Sequence, residues 1–328
     1  MSRAKILVTS TFATSFILED VRLLRKRYDV AHLVTSGLMS PPLIALAVRH
    51  ADVAYSWFAS TYAAAAVAAA KIFGKKSMIA IGGADVAGMK ELGYGIWISP
   101  WRSRLSGYAL RNADQVLAVD PALREAAIGL ARYAGDNIDV LPTGYDASFW
   151  SPAGEKEPFV LTVAAVDSPA RIKMKGLGYL FDAARRLAST PFRLIGIHPR
   201  IIDGLRRDAP PNMEIHPPLQ QEKLRELYRR AAVYCQPSVF EGLPNAVCEA
   251  MLCGCFPVVT DAGGMRNAVA DAGEVVPIGD TDRLVESLRR GLGASPGVRA
   301  RGRESIASRF TVERREEGLN RAIEKLIQ

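Results

Sequence analysis

Phe240-Glu241-Gly242-Leu243-Pro244-Asn245-Ala246, with Glu249 three residues further on, is the stretch on which the reading of this chain turns. An apolar strand is expected to end at Val239, a Gly/Pro loop follows, and an Ala-rich helix is expected to begin near Pro244. Proline suits the first helical position because the N–H it lacks would have had no partner there. A helix start presents unpaired backbone N–H groups and a partial positive charge, which attract phosphate or sugar oxygens. Glu241 stands on the loop just before that start, and Glu249 about one turn inside it. Two carboxylates framing an anion-friendly helix end suit a ligand with hydroxyls and phosphates together, such as a nucleotide-sugar.

Around this stretch, short β-branched runs alternate with helix-length segments. In the first half, strands are expected at residues 6–8, 30–34, 53–55, 77–81, 115–119 and 138–141. Helices are expected at about 12–27, after Pro41-Pro42, at 62–73, 102–111 and 121–133. The pattern breaks at Pro142-Thr143-Gly144-Tyr145-Asp146, stays loop-like through Ser151-Pro152-Ala153-Gly154, and resumes at residues 159–163. Further strands are expected at 193–196, 214–215, 232–235, 257–260 and 274–276. Such alternation signifies a parallel sheet with helices on both faces. It predicts an α/β chain with two doubly wound, Rossmann-like domains, residues 1–150 and 151–328, the last helix being a candidate to return to the first domain. Two such domains facing each other would enclose a cleft at the carboxyl ends of their strands.

The chain of 328 residues is too long for one ordinary core. Its 49% apolar and 23% charged content is that of a folded globular protein. The four cysteines, Cys235, Cys248, Cys253 and Cys255, crowd one apolar segment and read as buried thiols of a reducing compartment, not a disulfide scaffold. Cys253-Gly254-Cys255 lacks a second pair at ligand spacing, so no metal is expected. Ser2, Arg3 and Lys5 lead straight into a strand, so no signal peptide is expected, and the Ala-rich helix at 62–73 is too short to span a bilayer. These features predict a cytoplasmic protein, with the inner face of the membrane as a candidate location. The net charge of +8 is compatible with anionic lipid or phosphorylated substrates. Arg22, Arg25, Lys26 and Arg27 form one basic group; Arg102, Arg104 and Arg111 form another beside Ile96, Trp97, Ile98 and Trp101. Basic and aromatic residues together favour a peripheral membrane contact over nucleic acid, for which no reader motif is present.

The run from Gln236 to Met251 resembles the Glu-x7-Glu signature of retaining glycosyltransferases of family GT4, which have the GT-B fold. Residues 138–146, 113–119 and 257–264, and the segment from Gly279-Asp280 through the helix at Arg283, resemble the family's linker, adjoining strands and closing segment. The resemblance implies that Glu249 accepts hydrogen bonds from the donor ribose and that Glu241 lies beside the transferred sugar. It also implies that backbone N–H groups of Gly242, Leu243, Asn245 and Ala246 hold sugar or phosphate oxygens. The family's basic pair on the diphosphate corresponds to Lys175, followed by Gly176, and to Arg171, with Lys173 competing for the second place. Fixed cations there stabilise the charge that the departing diphosphate gains, so the donor would be handled without a metal and without a cofactor.

The first domain departs from the family pattern. Thr9-Ser10-Thr11-Phe12-Ala13-Thr14-Ser15 stands where relatives carry glycines, and its hydroxyls are expected to cap the following helix. Gly82 occupies a slot where relatives often place histidine. Asp85 remains, as a candidate polar group near sugar or acceptor, and His198 as a candidate donor contact; Gly263-Gly264 is expected to turn with positive φ. The implied activity is transfer of a sugar, with retention, from a UDP-, GDP- or ADP-linked donor to a glycan, lipid-linked or small-molecule acceptor. Closure of the domains would exclude water. Two rivals stay open: a catalytically inactive binding or scaffold subunit, and a sugar-nucleotide epimerase.

Overall fold

A computed structural model of the chain describes residues 3–328, so Ser2 lies outside the described residues. The chain divides into two compact units, one running to Gly144 and including Val312–Gln328, the other Tyr145–Thr311. Residues 145–150 belong to the second unit by their hydrogen bonds. The Tyr145 N–H donates to Phe310 O at 2.9 Å, and Arg303 donates to the carbonyls of Ala147 and Trp150 at 2.8 Å each.

The first unit is a six-stranded sheet of β1 (Lys5–Ser10), β2 (Asp29–Val34), β3 (Val53–Trp57), β4 (Lys76–Ile81), β5 (Gln115–Ala118) and β6 (Ile138–Val140). All pairings are parallel and the order is β2-β1-β3-β4-β5-β6. The first helix is Ser15–Leu24, shorter than expected at both ends. Its start carries no side-chain cap: Thr14 supplies none, Thr9 pairs with Ser56 at 2.8 Å, and Ser10 pairs with His32 at 2.9 Å. Thr9 and Ser10 therefore tie strands together instead of capping the helix. Its end tightens into i→i−3 bonds from Lys26 and Arg27.

The C-terminal helix Val312–Ile327 is fastened within this unit by a dry ion pair. Arg315 and Asp20 are 1% and 2% exposed, and the guanidinium grips both carboxylate oxygens, at 2.9 and 2.6 Å. Tyr55 Oη and Trp57 Nε1 also donate to Asp20, at 2.6 and 3.0 Å, and Leu141 O accepts from Arg315 at 2.7 Å. Burial alone would lower the Arg315 pKa, but the attraction of Asp20 outweighs it and raises it.

The second unit repeats the plan with β7 (Glu157–Val166), β8 (Phe192–Ile197), β9 (Met213–His216), β10 (Ala231–Gln236), β11 (Phe256–Thr260) and β12 (Glu274–Val276). The order is β12-β11-β10-β7-β8-β9, again all parallel. Its core gathers Val160, Leu194, Ile197, Val233, Val258 and Leu288. The two-sheet α/β architecture expected from the alternation is thus present. The strand before the decisive stretch stops at Gln236, three residues before Val239, because Pro237 has no N–H to continue the ladder.

Candidate active site in the second unit

β7 and β10 are hydrogen-bonded neighbours, yet the chain runs from β7 towards β8 and from β10 towards β11, on opposite sides. Where the strand order reverses, the connections diverge and leave a crevice at the carboxyl ends, the usual ligand position of an open α/β sheet. Lys175 follows β7 and Glu241 follows β10, so the topology delivers both to this point.

Lys175 does not sit at a helix start. It ends the short helix Pro169–Met174, its N–H donating to Arg171 O at 2.9 Å, and Gly176 opens the next helix, Leu177–Arg186. A cation at a helix C-terminus is electrostatically favoured. Two glycines press these turns against the loop after β10. Gly176 (φ +65°) has no room for a Cβ, which would lie 1.8 Å from Pro237 O. Gly263 (φ +55°) is equally confined, 1.9 Å from Glu241 O. Only glycine combines positive φ with such approach at little cost. Gly264, by contrast, has φ −74°, so only one of the two expected positive-φ glycines has that geometry. Val239 N donates to Met174 O at 2.8 Å and Gly264 N to Gly242 O at 3.2 Å, completing the clamp.

Within it, Lys175 Nζ donates to Glu241 Oε1, and their side chains are 14% and 13% exposed. The same oxygen accepts from Gln236 Nε2 at 2.7 Å and from Ser238 Oγ at 2.8 Å. Glu241 Oε2 accepts no bond among the described residues. Gln236 and Ser238 escaped the sequence reading. Their signal is faint: on the fully buried strand β10, Tyr234 and Gln236 share a face by their spacing of two, and a glutamine ends an otherwise apolar strand.

Glu249 lies on the helix Asn245–Leu252, where Tyr228 Oη donates to its Oε2 at 3.4 Å. Burial pushes its carboxyl up to about 8, against the opposing hydrogen bond from Tyr228. At neutral pH it is therefore largely protonated, able to donate one hydrogen bond as well as accept. Pro244 is one position outside the helix, and its carbonyl accepts from Val247 and Cys248 at 3.0 and 3.2 Å. The N–H groups of Gly242, Leu243 and Ala246 find no acceptor among the described residues. Asn245 is anchored through its side-chain oxygen, which accepts from Tyr145 Oη at 2.7 Å.

The remaining expected site residues are placed elsewhere. Arg171 turns back on its own loop, donating to Ala165 O at 3.2 Å and lying 3.5 Å from Asp167. Lys173 is exposed. His198 caps the helix Pro199–Asp208, its Nδ1 accepting from Arg200 N at 3.2 Å. Asp85, in the first unit, is fully buried. Its oxygens accept from the backbone of Ala59, Gly82 and Gly83 at 2.9, 3.1 and 2.8 Å. Burial raises its pKa against those bonds. It pins the turn after β4 and presents no oxygen outward, which corrects its reading as a sugar- or acceptor-facing group. Gly82 abuts the Phe58 ring, 2.7 Å from where a Cβ would stand, so a side chain in the slot that relatives give to histidine would have to displace that ring.

All four cysteines are buried free thiols, and burial pushes Cys255 up to about 11, far from reactive thiolate. No cluster of three or more metal-ligating side chains occurs among the described residues. No helix among them is long and apolar enough to cross a membrane. Of the two basic groups, three members of the first are met by acids: Arg22 by Glu19 at 2.6 Å, Lys26 by Glu316 and Arg27 by Glu324 at 2.5 Å each. In the second, Arg102 lies 5.3 Å over the ring of Trp101, which is 56% exposed.

Residues 157–293 match the family model described as glycosyl transferases group 1. Alpha-maltose-1-phosphate synthase of Mycolicibacterium smegmatis is 30% identical over 207 residues, 56% of this chain and 52% of that protein. A D-inositol 3-phosphate glycosyltransferase of Xylanimonas cellulosilytica is 29% identical over 230 residues, 60% of this chain and 55% of that protein. The chain thus spans about half the length of the curated relatives it matches. Among solved structures, Anabaena HepE in complex with UDP-glucose superposes with a TM-score of 0.79 at 16% identity, covering 98% of this chain and 100% of that one. Sucrose-phosphate synthase of Thermosynechococcus elongatus gives 0.80 at 17% identity, covering 99% of each. The fold is that of these GT-B proteins.

Proposed function

We propose that this chain, whose residues 157–293 match the group 1 glycosyl transferases, is a retaining glycosyltransferase using a nucleotide-sugar donor. One observation carries the reading. An amine and a carboxylate meet at the crevice between β7 and β10, at a helix start where the amides of Leu243 and Ala246 find no acceptor among the described residues. In this reading the diphosphate meets Lys175 and the amides of Leu243 and Ala246, Glu241 meets a hydroxyl of the transferred sugar through its open Oε2, and Glu249 meets the ribose. Arg171 reaches the diphosphate after exchanging Asp167 for it. The anomeric carbon–oxygen bond breaks and its electron pair passes to the terminal phosphate. The acceptor hydroxyl bonds to the anomeric carbon on the same face and gives its proton to that phosphate. Lys175 stabilises the charge building there, a role in which one removed donor costs on the order of 10²–10³ in rate. Protein cations meet the diphosphate in this scheme, so transfer should proceed in EDTA. Acceptor recognition is assigned to the first unit. Exposed Trp101, with Arg102 against it, is assigned to an anionic membrane surface, the setting of a lipid-linked acceptor.

The test is a panel of UDP-, GDP- and ADP-sugars scored first by thermal stabilisation, then by transfer or hydrolysis with an anomer-resolved product. Stabilisation by one donor, lost in Glu249→Ala, and a retained anomer are expected. Binding without turnover indicates the scaffold reading, and conversion of the donor without acceptor or water indicates the epimerase.

A further inference from the structure

We infer that Gln236, oriented by Tyr234, is a positioning residue for transfer. It holds Glu241 so that a single oxygen, Oε2, faces the sugar. The inference rests on the transferase reading above.

The chain of bonds beneath Glu241 has one direction. Val163 N–H points to Tyr234 Oη at 3.4 Å, Tyr234 Oη donates to Gln236 Oε1 at 2.9 Å, and Gln236 Nε2 donates to Glu241 Oε1 at 2.7 Å. Tyr234 also lies 3.2 Å from Val163 O, a longer alternative for its one proton. Tyr234 is fully buried and Gln236 nearly so, hence their partners must be protein groups. An amide carries its acceptor and donor on opposite ends. Because Tyr234 meets the oxygen, the nitrogen must face Glu241. Aligned bonds in a dry setting polarise one another and strengthen the last.

Ser238 and Lys175 supply the other two donors to the same oxygen, but neither fixes the carboxylate equally well. Lys175 is an ammonium on a flexible stem, which this reading needs for the diphosphate. Ser238 is bound by the loop itself, as its carbonyl accepts from Thr260 Oγ1. Gln236 alone stands on the sheet, the most rigid platform available, and sites borne on strands are held more exactly than sites borne on loops. With Oε1 occupied, the sugar can address Glu241 only through Oε2. That restricts which hydroxyl direction the site accepts. Removing the amide frees the carboxylate to rotate, which should cost the reacting geometry more than the grip on the nucleotide.

The experiment is steady-state kinetics of Gln236→Met, Tyr234→Phe, the double variant and Gln236→Glu, with the donor that stabilises the wild type most. Gln236→Met should lower kcat about tenfold with donor KM changed less than about threefold. Tyr234→Phe should give a smaller loss, and the double variant should lose no more than Gln236→Met alone. Gln236→Glu places a second carboxyl against Glu241. Only its protonated form can donate, so its activity relative to wild type should climb as pH falls from 8 to 5.5, while that of Gln236→Met should not. A purely structural glutamine would show no such pH-dependent rescue. Wild-type-like kcat in Gln236→Met, additive losses in the double variant, or a flat pH ratio for Gln236→Glu would each overturn the inference. A wild type that turns over no donor instead defeats the transferase reading itself.

Discussion

The two units each bury a cation against a carboxylate, and the contrast separates a fastener from a site. Asp20 has both oxygens occupied, by Arg315 on two prongs and by Tyr55 and Trp57, in a setting that excludes water. Glu241 has three donors on one oxygen and none on the other, and its cation is a lysine with a flexible stem. A saturated pair offers nothing to a ligand. A half-saturated pair at the end of a sheet keeps one acceptor and one movable charge available.

Substitutions should break this contrast in graded fashion. The largest effect belongs to Arg315→Met, which strands Asp20 and should cost about 3–5 kcal/mol of stability, read from urea unfolding. Lys175→Ala should leave stability within about 1 kcal/mol but cut kcat roughly a hundredfold, equivalent to about 2.7 kcal/mol of barrier. If instead Lys175→Ala unfolds the protein while its turnover per folded molecule is unchanged, the two pairs are alike and the contrast fails.

A third outcome concerns pH. Glu249 titrates at about 8 in the folded chain against an ordinary 4.5. The folded state therefore holds this proton more tightly, and the stability it confers is full below the ordinary value and is lost as pH rises through about 8. The slope from this group is at most about 1.4 kcal/mol per pH unit. Glu249→Gln should flatten that part of a stability–pH curve measured between pH 5 and 9, and an unchanged slope would place the effect on another group. The smallest effect is expected at the surface. Trp101→Ala with Arg102→Glu should reduce sedimentation with phosphatidylglycerol vesicles several-fold while leaving turnover of a soluble donor unchanged. Equal sedimentation of variant and wild type would remove the membrane assignment.

Much of the architecture was legible because the parallel strands are buried on both faces and read as continuous β-branched runs. Their ends were not. The strand expected to Val239 stops at Gln236, and the helix expected at Pro244 starts at Asn245, since both boundaries depend on which backbone groups find partners. Lys175 and Glu241 were found through their motifs, and the fold brings them into contact. Gln236 and Tyr234 were missed, because a local sequence shows that they share a face but not that a third strand group orients them. Asp85 was misjudged for a related reason. A carboxylate after a parallel strand reads as facing a ligand, yet Gly83, at φ +140°, folds the turn so that amides point back at it. The Asp20–Arg315 pair spans 295 positions, beyond any local pattern.

The most direct measurement is a crystal structure grown with the donor that passes the stabilisation screen, or with its nucleoside diphosphate. Diphosphate oxygens are expected within hydrogen-bond distance of Lys175 Nζ and of the amides of Leu243 or Ala246, with the ribose at Glu249. A nucleotide seated away from the carboxyl ends of β7 and β10, with Lys175 still closed on Glu241, would contradict this expectation.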